Sequence, residues 1–396
     1  MPVDPPLTTA ELNRALLARQ HLLDRADVPV TAMVDHLVGL QAQNAWSPYV
    51  GLWSRVSSFS HGDLGGTLLE RSTARIAVMR GTIHLVTAPD ALLLPALIAP
   101  LFRKDLLVNA AHAAALRTLD VDELTARARA LVEERPRVTT DLGALLGERW
   151  PDVAPATLAY GARGTLPLVQ VPPRGVWGRS GATTWTTAWS WLGPQATAAA
   201  PDVTDPDVLA AELERLVLRY LAAFGPATVA DLQAWSGLTG LRPVVDGLGD
   251  RVLRFSAPPP PGGVRPRTVV DVPDAPRPAG DVPAPVRFLP DLDNVLLSHA
   301  DRSRIVSDER RRSLQTRNGV IPGTVLVDGR VGATWVVRRT RLDDGGRSRR
   351  ELATLEVTSL DPLDTARRRA LEDEGSRFVR FFADDAAEHA VVVAAT

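Results

Sequence analysis

The sequence predicts an α+β fold in which three tandem winged helix-turn-helix units precede a small β-barrel or curled antiparallel sheet. The prediction rests first on a repeat. The segments that begin at Pro136 and Pro226 share Pro, Asp and Leu in register, and each opens a short amphipathic helix after a longer one. It rests second on a change of pattern after residue 285, where short apolar runs alternate with turn residues. Helix, short helix, helix and hairpin is the order of a winged helix, and a run of short strands favours a barrel.

Residues 1–110 form the first predicted unit. Thr8 and Glu11 make a capping box on its opening helix. The segment Pro29-Val30-Thr31 opens a further helix, and residues 75–87 alternate enough to form the hairpin, or wing. Of the three predicted units, this one matches the repeat least closely.

The other two units follow the repeat more closely. The second unit, residues 111–195, is predicted to contain helices at Val121–Glu134 and around Leu142 and strands within Leu166–Val171 and Gly175–Trp185. The third unit, residues 205–256, is predicted to contain helices at Val208–Phe224 and around Trp235 and a strand at Arg251–Ser256.

A Pro- and Gly-rich stretch, residues 257–285, predicts an extended connector to the last domain. In that domain, residues 286–396, we predict strands at 295–297, 324–327, 334–339 and 353–358, and an amphipathic helix over 363–382 that closes the chain.

Composition excludes several classes of site. The 396-residue chain has no cysteine, which excludes disulfides and thiolate metal ligands. Its seven histidines show no close paired spacing, and no Gly-rich loop precedes a helix, so we predict no metal and no nucleotide cofactor. No apolar run reaches membrane-spanning length, and no signal peptide is visible. We therefore expect a cytoplasmic protein with no membrane partner.

The positive charge is almost entirely arginine, because Lys104 is the only lysine. Arginine is the better residue for bidentate phosphate contacts. Arginines crowd residues 302–317 and 338–350, but acidic residues lie among them, so either stretch is equally consistent with a self-neutralised surface. Winged helices likewise serve DNA binding or act as protein-interaction spacers, and both alternatives stay open at this point.

Gln41-Ala42-Gln43 is the most informative short segment. Val34, Leu37 and Val38 lie at i, i+3 and i+4 of a predicted helix, and the next inward position is Gln41. A primary amide that faces a core must satisfy up to four hydrogen-bonding positions, at a cost of roughly 1–3 kcal/mol if they stay unmet. Gln41 is therefore expected to face a cleft with water or ligand, the alternative being two solvated glutamines at a helix end.

Three segments together resemble the AlkZ/YcaQ-type bacterial DNA glycosylases. They are Gln41-Ala42-Gln43, Met79-Arg80-Gly81-Thr82-Ile83-His84, and a long third motif, Leu289-Pro290-Asp291-Leu292-Asp293-Asn294-Val295-Leu296-Leu297-Ser298-His299-Ala300-Asp301-Arg302. The family's Gln-apolar-Gln catalytic motif falls on Gln41 and Gln43, with Ala42 as the apolar residue. A sibling branch has Asp at the third place, so Gln43 aligns the chain with the AlkZ branch.

The resemblance implies a monofunctional DNA glycosylase that hydrolyses the N-glycosidic bond of N7-alkylated purines in double-stranded DNA. It also implies substrates among bulky natural-product adducts or interstrand crosslinks, as in toxin self-resistance. We expect a monomer that is nucleoid-associated when bound to DNA. A Schiff-base lyase step is not expected, since Lys104 lies in none of the three segments. The alternative is a non-catalytic winged-helix DNA-binding or transcriptional regulatory protein.

The other candidate residues each have two interpretations. Arg80 is a phosphate contact or part of a surface ion pair, and His84 is a DNA contact or a structural histidine between apolar neighbours. Arg317 and Asn318 lie in a predicted hairpin tip, residues 313–322, which enters the DNA or is an ordinary surface loop. His299, Asp301 and Arg302 form a catalytic or metal constellation, or a turn held by hydrogen bonds inside the barrel.

Overall fold

The chain has a mixed α+β fold that contains several sheets. The structure is a computed structural model that describes residues 6–314, 322–342 and 350–395. Within these ranges there are sheets of six, five and two strands, and each has two open edges. The barrel predicted for residues 286–396 is therefore wrong for the described residues, and the alternative of a curled antiparallel sheet is nearer, although one strand pair of the sheet is parallel.

A six-stranded antiparallel sheet occupies the first half of the chain. Its strands are β1 (Leu40–Gln41), β2 (Thr73–Ala77), β3 (Ile83–Thr87), β4 (Arg137–Val138), β5 (Leu168–Gln170) and β6 (Thr184–Thr187). They lie in the order β1-β3-β2-β5-β6-β4. The predicted hairpin of residues 75–87 is confirmed as β2 and β3. Because β2 also pairs with β5, through Ile76 and Val169, strands of the first two predicted units share one sheet.

Helices alternate with these strands along the chain, and the local sequence explains where several of them begin. They are α1 (Thr9–Arg19), α2 (Val30–His36), α3 (Ser47–Trp53), α4 (His61–Leu69), α5 (Ala88–Leu97), α6 (Ala99–Val108), α7 (Ala113–Leu116), α8 (Val121–Glu134), α9 (Thr139–Gly147), α10 (Pro155–Thr165), α11 (Ala188–Leu192) and α12 (Pro194–Ala198). The capping box of Thr8 and Glu11 is confirmed at α1, and Asp120 caps α8 with its side chain.

Residues 206–271 form a helical segment with a two-stranded sheet. Its elements are α13 (Pro206–Phe224), α14 (Val229–Ser236), α15 (Arg242–Gly247), β7 (Leu253–Ala257) and β8 (Arg267–Asp271). Thr228 and Asp231 form a capping box at α14, and Gly237 ends that helix with a left-handed backbone. The stretch 257–285 is not extended connector throughout, because β8 lies within it and pairs antiparallel with β7.

A five-stranded mixed sheet forms the C-terminal part. Its region contains β9 (Arg287–Leu289), α16 (Asn294–Leu297), α17 (Asp308–Leu314), β10 (Gly323–Val327), β11 (Arg330–Arg341), β12 (Glu351–Ser359), α18 (Thr365–Phe382) and β13 (Glu388–Ala395). The sheet order is β13-β12-β11-β10-β9, and β12 and β13 run parallel. The strand predicted at 295–297 is wrong, since those residues belong to α16. The predicted final helix is confirmed as α18, but β13 follows it.

Helix α3 joins the two main hydrophobic cores. Tyr49 and Leu52 pack into the core around the six-stranded sheet, whereas Val50 packs with Phe288 and Phe378 under the C-terminal sheet. Residues 41–43 lie three residues before the start of α3. The Gln-Ala-Gln segment therefore lies where the two halves of the fold meet.

No helix among the described residues combines the length and the apolar character needed to cross a membrane.

Candidate active site

Gln41 lies on strand β1, not at the end of a helix. Helix α2 ends at His36, and Val38 and Gly39 then adopt positive φ angles of 52° and 94° that turn the chain into the strand. A side chain at position 39 would meet Leu85 O at 2.8 Å, so the turn requires glycine. Gln41 is 5% exposed, which confirms its inward position although the predicted element was wrong. A glycine just after the last periodic residue is a helix-stop signal that could have corrected the prediction.

The Gln41 carboxamide faces the connection between β2 and β3. Its Oε1 accepts hydrogen bonds from Arg80 Nη2 at 3.1 Å and from Thr82 Oγ1 at 3.2 Å. On the ladder, Gln41 is the register partner of His84. The first and second sequence segments that carried the resemblance are therefore brought together.

Gln43 follows on the same side, and Ala42 is buried between the two glutamines. Ala42 has no exposed surface; its N–H donates to Ile83 O at 2.8 Å and its carbonyl accepts from Arg75 at 2.8 Å. Gln43 is exposed, and its Oε1 accepts from the Ile83 N–H at 3.3 Å. Both carboxamide oxygens thus bond to residues 80–83, as expected when positions i and i+2 share one side of an extended chain.

Arg80 lies at the tip of the β2–β3 hairpin, where hydrogen bonds anchor its side chain. Its backbone is left-handed, with φ 56° and ψ 16°, and its Nη1 donates to Trp235 O at 2.6 Å. Burial, and after it the positive charge of Arg302, lowers the pKa of Arg80 to about 10. Arg80 forms no salt bridge with a described residue, which does not favour the surface ion pair; the phosphate contact stays a prediction.

His84 has no exposed surface, which agrees with the structural alternative. Its Nδ1 lies 2.9 Å from Thr82 O, so this nitrogen carries the hydrogen, and Nε2 then accepts from Arg80 Nη2 at 3.4 Å. Burial, with the charge of Arg80, lowers the pKa of His84 to about 3. A phosphate could reach His84 only if this packing opened.

The third motif holds the Gln-Ala-Gln segment from both sides. Asn294 Nδ2 donates to Gly39 O at 2.7 Å, before the segment, and Asp291 accepts from Asn44 and Ser47, after it. Burial raises the pKa of Asp291, and these hydrogen bonds oppose that shift. Sequence reasoning missed the positioning role of Asp291 and Asn294. The polar residues within an otherwise apolar motif were the available signal.

His299, Asp301 and Arg302 form a turn held by hydrogen bonds, as the structural alternative predicts, although no barrel surrounds it. His299 Nε2 bonds Phe224 O at 3.1 Å, Asp301 pairs with Arg267 at 2.5 Å, and Arg302 Nε bonds His299 O at 3.4 Å. Within residues 6–314, 322–342 and 350–395, no group of three or more His, Asp or Glu side chains could hold a metal ion.

Positive charge accumulates beside Gln41. Arg80, Arg163 and Arg302 donate to backbone carbonyls and have no salt-bridge partner among the residues that the structure describes. Arg163 contacts Gly81 O at 3.3 Å, next to Arg80. Burial, followed by the charge of Arg311, lowers the pKa of Arg302. Unpaired arginines around a neutral amide pair suit an anionic ligand. Arg317 and Asn318 lie outside the described residues, together with most of the predicted hairpin tip.

We expect the unfolding temperature to fall when the pH is lowered from about 7.5 to about 5.5, because buried neutral histidines oppose protonation of the folded state. Burial lowers the pKa of His84 and of His299 to about 3. Below their ordinary pKa of 6.5, the unfolded chain takes up protons that the folded chain does not. Stability is then lost by roughly 1.4 kcal/mol per histidine per pH unit. Thermal unfolding followed by circular dichroism tests this, and a flat profile would mean that the two histidines take up protons in the folded protein as readily as in the unfolded chain.

Comparison with known proteins points to one class of enzyme. Residues 34–381 match the family described as DNA glycosylase AlkZ-like. A solved structure, the DNA glycosylase AlkZ of Streptomyces sahachiroi, has a TM-score of 0.74 with 20% sequence identity, over 98% of this chain and 100% of that chain. No curated protein sequence matches. The structural likeness shows a shared fold, and the family match covers most of the chain.

Proposed function

The chain belongs to the AlkZ-like DNA glycosylase family, and from that premise we propose that it hydrolyses the N-glycosidic bond of N7-alkylated purines in double-stranded DNA, with Gln41 and Gln43 as its catalytic residues. The observation that carries the proposal is the pair of carboxamides on one side of an extended segment, beside arginines that have no carboxylate partner among the described residues. As a DNA glycosylase the protein is an enzyme, so the alternative of a non-catalytic regulator is set aside.

The chemistry explains why amides can serve where glycosidases usually have two carboxylic acids. Hydrolysis of a glycosidic bond normally needs an acid for the leaving group and a base for the water. An N7-alkylated guanine already carries a positive charge, and it leaves with the electron pair of the C1′–N9 bond as a neutral base. A water oxygen then bonds to C1′ and its proton passes to solvent. What remains for the protein is to position that water, a task in which orientation alone is worth several kcal/mol.

We assign DNA binding to the side of the fold where the unpaired arginines lie. Arg80, Arg163 and Arg302 are the described candidates for phosphate contacts, and Arg317 and Asn318, which lie outside the described residues, remain proposed contacts. The three winged-helix units, residues 1–110, 111–195 and 205–256, belong to the same proposal. In two of them a short helix, α9 or α14, follows a long one as in DNA-binding winged helices. Bulky adducts and interstrand crosslinks are the wider substrates that we propose for this face.

The proposed function is tested by release of N7-methylguanine from duplex DNA in the presence of a metal chelator. Because the leaving group needs neither protonation nor a Lewis acid, we expect the free base and an abasic site, detected by chromatography and by alkaline strand cleavage. The same duplex without the lesion is the control and should stay intact. No release from the damaged duplex, or release that chelator abolishes and a divalent ion restores, would contradict the proposal.

A further inference from the structure

We propose that Arg80 is a positioning residue that fixes the orientation of the Gln41 carboxamide, so that Gln41 acts as a hydrogen-bond donor to the lesion nucleotide while Gln43 holds the attacking water. This division of labour rests on the proposed function. It assigns different roles to two glutamines that are indistinguishable in the sequence motif.

The orientation of Gln41 follows from the chemistry of its partner. A guanidinium group has only N–H donors, so the side-chain atom of Gln41 that lies 3.1 Å from Arg80 Nη2 must be the oxygen. Thr82 Oγ1 lies 3.2 Å from the same oxygen. The single hydroxyl hydrogen of Thr82 is also within reach of Met79 O, at 3.1 Å. An amide oxygen has two acceptor positions; Arg80 takes one of them, and the Thr82 hydroxyl lies within reach of the other.

The amide nitrogen of Gln41 is left for the substrate. No described residue accepts a hydrogen bond from Gln41 Nε2, although the side chain is 5% exposed and most buried donors are paired. The nitrogen is also absent from the fully buried unpaired polar atoms. Its two N–H groups can therefore donate to a sugar or phosphate oxygen of a nucleotide placed against β1.

In Gln43, by contrast, the amide oxygen has hydrogen-bonding capacity left for a ligand. The Ile83 N–H can only donate, so the Gln43 oxygen faces it, at 3.3 Å. This is the one hydrogen bond that a described residue makes to that oxygen, and the side chain is exposed. One acceptor position is free to take a hydrogen from water. Gln43 is thus the group that can orient the water, and Gln41 is not.

Several contacts fix the position of the Arg80 side chain. Its Nη1 is anchored on Trp235 O at 2.6 Å, and its Nη2 bridges Gln41 Oε1 and His84 Nε2. Its backbone packs against Gly237, where a Cβ would lie 3.2 Å from Arg80 Cα. Because its guanidinium already donates to three protein acceptors, Arg80 mainly positions Gln41. It can contact a phosphate only through the part of its side chain that remains exposed.

Two isosteric substitutions separate the roles. Q41E keeps an oxygen for Arg80 but replaces the donor nitrogen with a second acceptor, whereas Q43E keeps the acceptor that the water needs. In single-turnover excision of N7-methylguanine we expect Q41E to lose about 100-fold or more and Q43E to stay within about tenfold of wild type, the scale of one positioned contact. Equal losses, or a larger loss for Q43E, would overturn the division of labour. Failure of the wild-type protein in the same assay would instead remove the proposed function, and with it this inference.

Arg80 itself is tested by separating rate from affinity. R80K keeps one cationic donor but not the fork that spans Trp235 and Gln41, and R80M removes the charge. A positioning role predicts that both variants lower the excision rate by a much larger factor than they raise the Kd for undamaged duplex, with R80K retaining more activity. Losses of rate and affinity by the same factor would make Arg80 a phosphate contact only. Unfolding temperatures of both variants identify any loss that comes from misfolding.

Discussion

Replacing Gln43 with alanine is expected to lower the single-turnover rate of N7-methylguanine excision by roughly 10–1,000-fold, the effect of losing one positioned transition-state contact. Gln43 is exposed, and the Ile83 N–H that it covers can be solvated after truncation, so the fold should be unaffected. Affinity for undamaged duplex DNA should barely change, since an amide carries no charge to neutralise a phosphate.

The controls for this prediction come from the same chain. Gln195→Ala removes an exposed glutamine on α12 and should excise at the wild-type rate. Gln41→Ala should reduce excision like Gln43→Ala and should also destabilise the protein, because Arg80 then loses a buried acceptor. Gln43→Asp restores the carboxylate of the sibling branch and should keep substantial activity. Wild-type excision by folded Gln41→Ala and Gln43→Ala variants would show that the catalytic assignment is wrong.

Local sequence signals predicted the elements that depend on neighbours in the chain. The capping box at Thr8, the helix of residues 121–134 and the hairpin of β2 and β3 follow from side chains within a few positions of each other. The inward position of Gln41 was also predictable. The apolar pattern does not reveal its strand, because the helical period runs on across Val38 and Gly39, whose φ angles are positive.

Contacts between distant parts of the chain could not be predicted from single-sequence patterns. The pairing of β2 with β5 joins residues almost one hundred positions apart, and the parallel strand β13 depends on how α18 packs. The contact between Arg80 and Gln41 depends on the positive φ of Arg80, a conformation that is uncommon for a residue other than glycine. The sequence motifs therefore supply the candidate residues, and the fold shows which of these candidates contact each other.

Replacing Asp293 with asparagine is expected to lower the free energy of unfolding by about 3–5 kcal/mol, because it leaves a buried charge without a counter-charge. Asp293 pairs with Arg55 through both oxygens, at 2.8 and 3.0 Å, and the two side chains are 3% and 1% exposed. Asparagine keeps the shape but turns an N–H group towards the guanidinium. The pair lies between α3 and the third motif, so the loss should spread to the surroundings of Gln41.

Urea unfolding at neutral pH measures this loss, with Asp373→Asn as the matched control. Asp373 and Arg369 form a pair at 3.8 Å that is 71% and 83% exposed, and its removal should cost less than about 1 kcal/mol. The double variant Arg55→Met with Asp293→Leu removes both charges at once and should be more stable than Asp293→Asn alone, since two apolar side chains avoid the desolvation of the unpaired guanidinium. If Asp293→Asn unfolds at the wild-type urea concentration, the buried pair does not hold the third motif to α3. The support of the Gln-Ala-Gln segment must then come from Asp291 and Asn294, which contact the chain on its two sides.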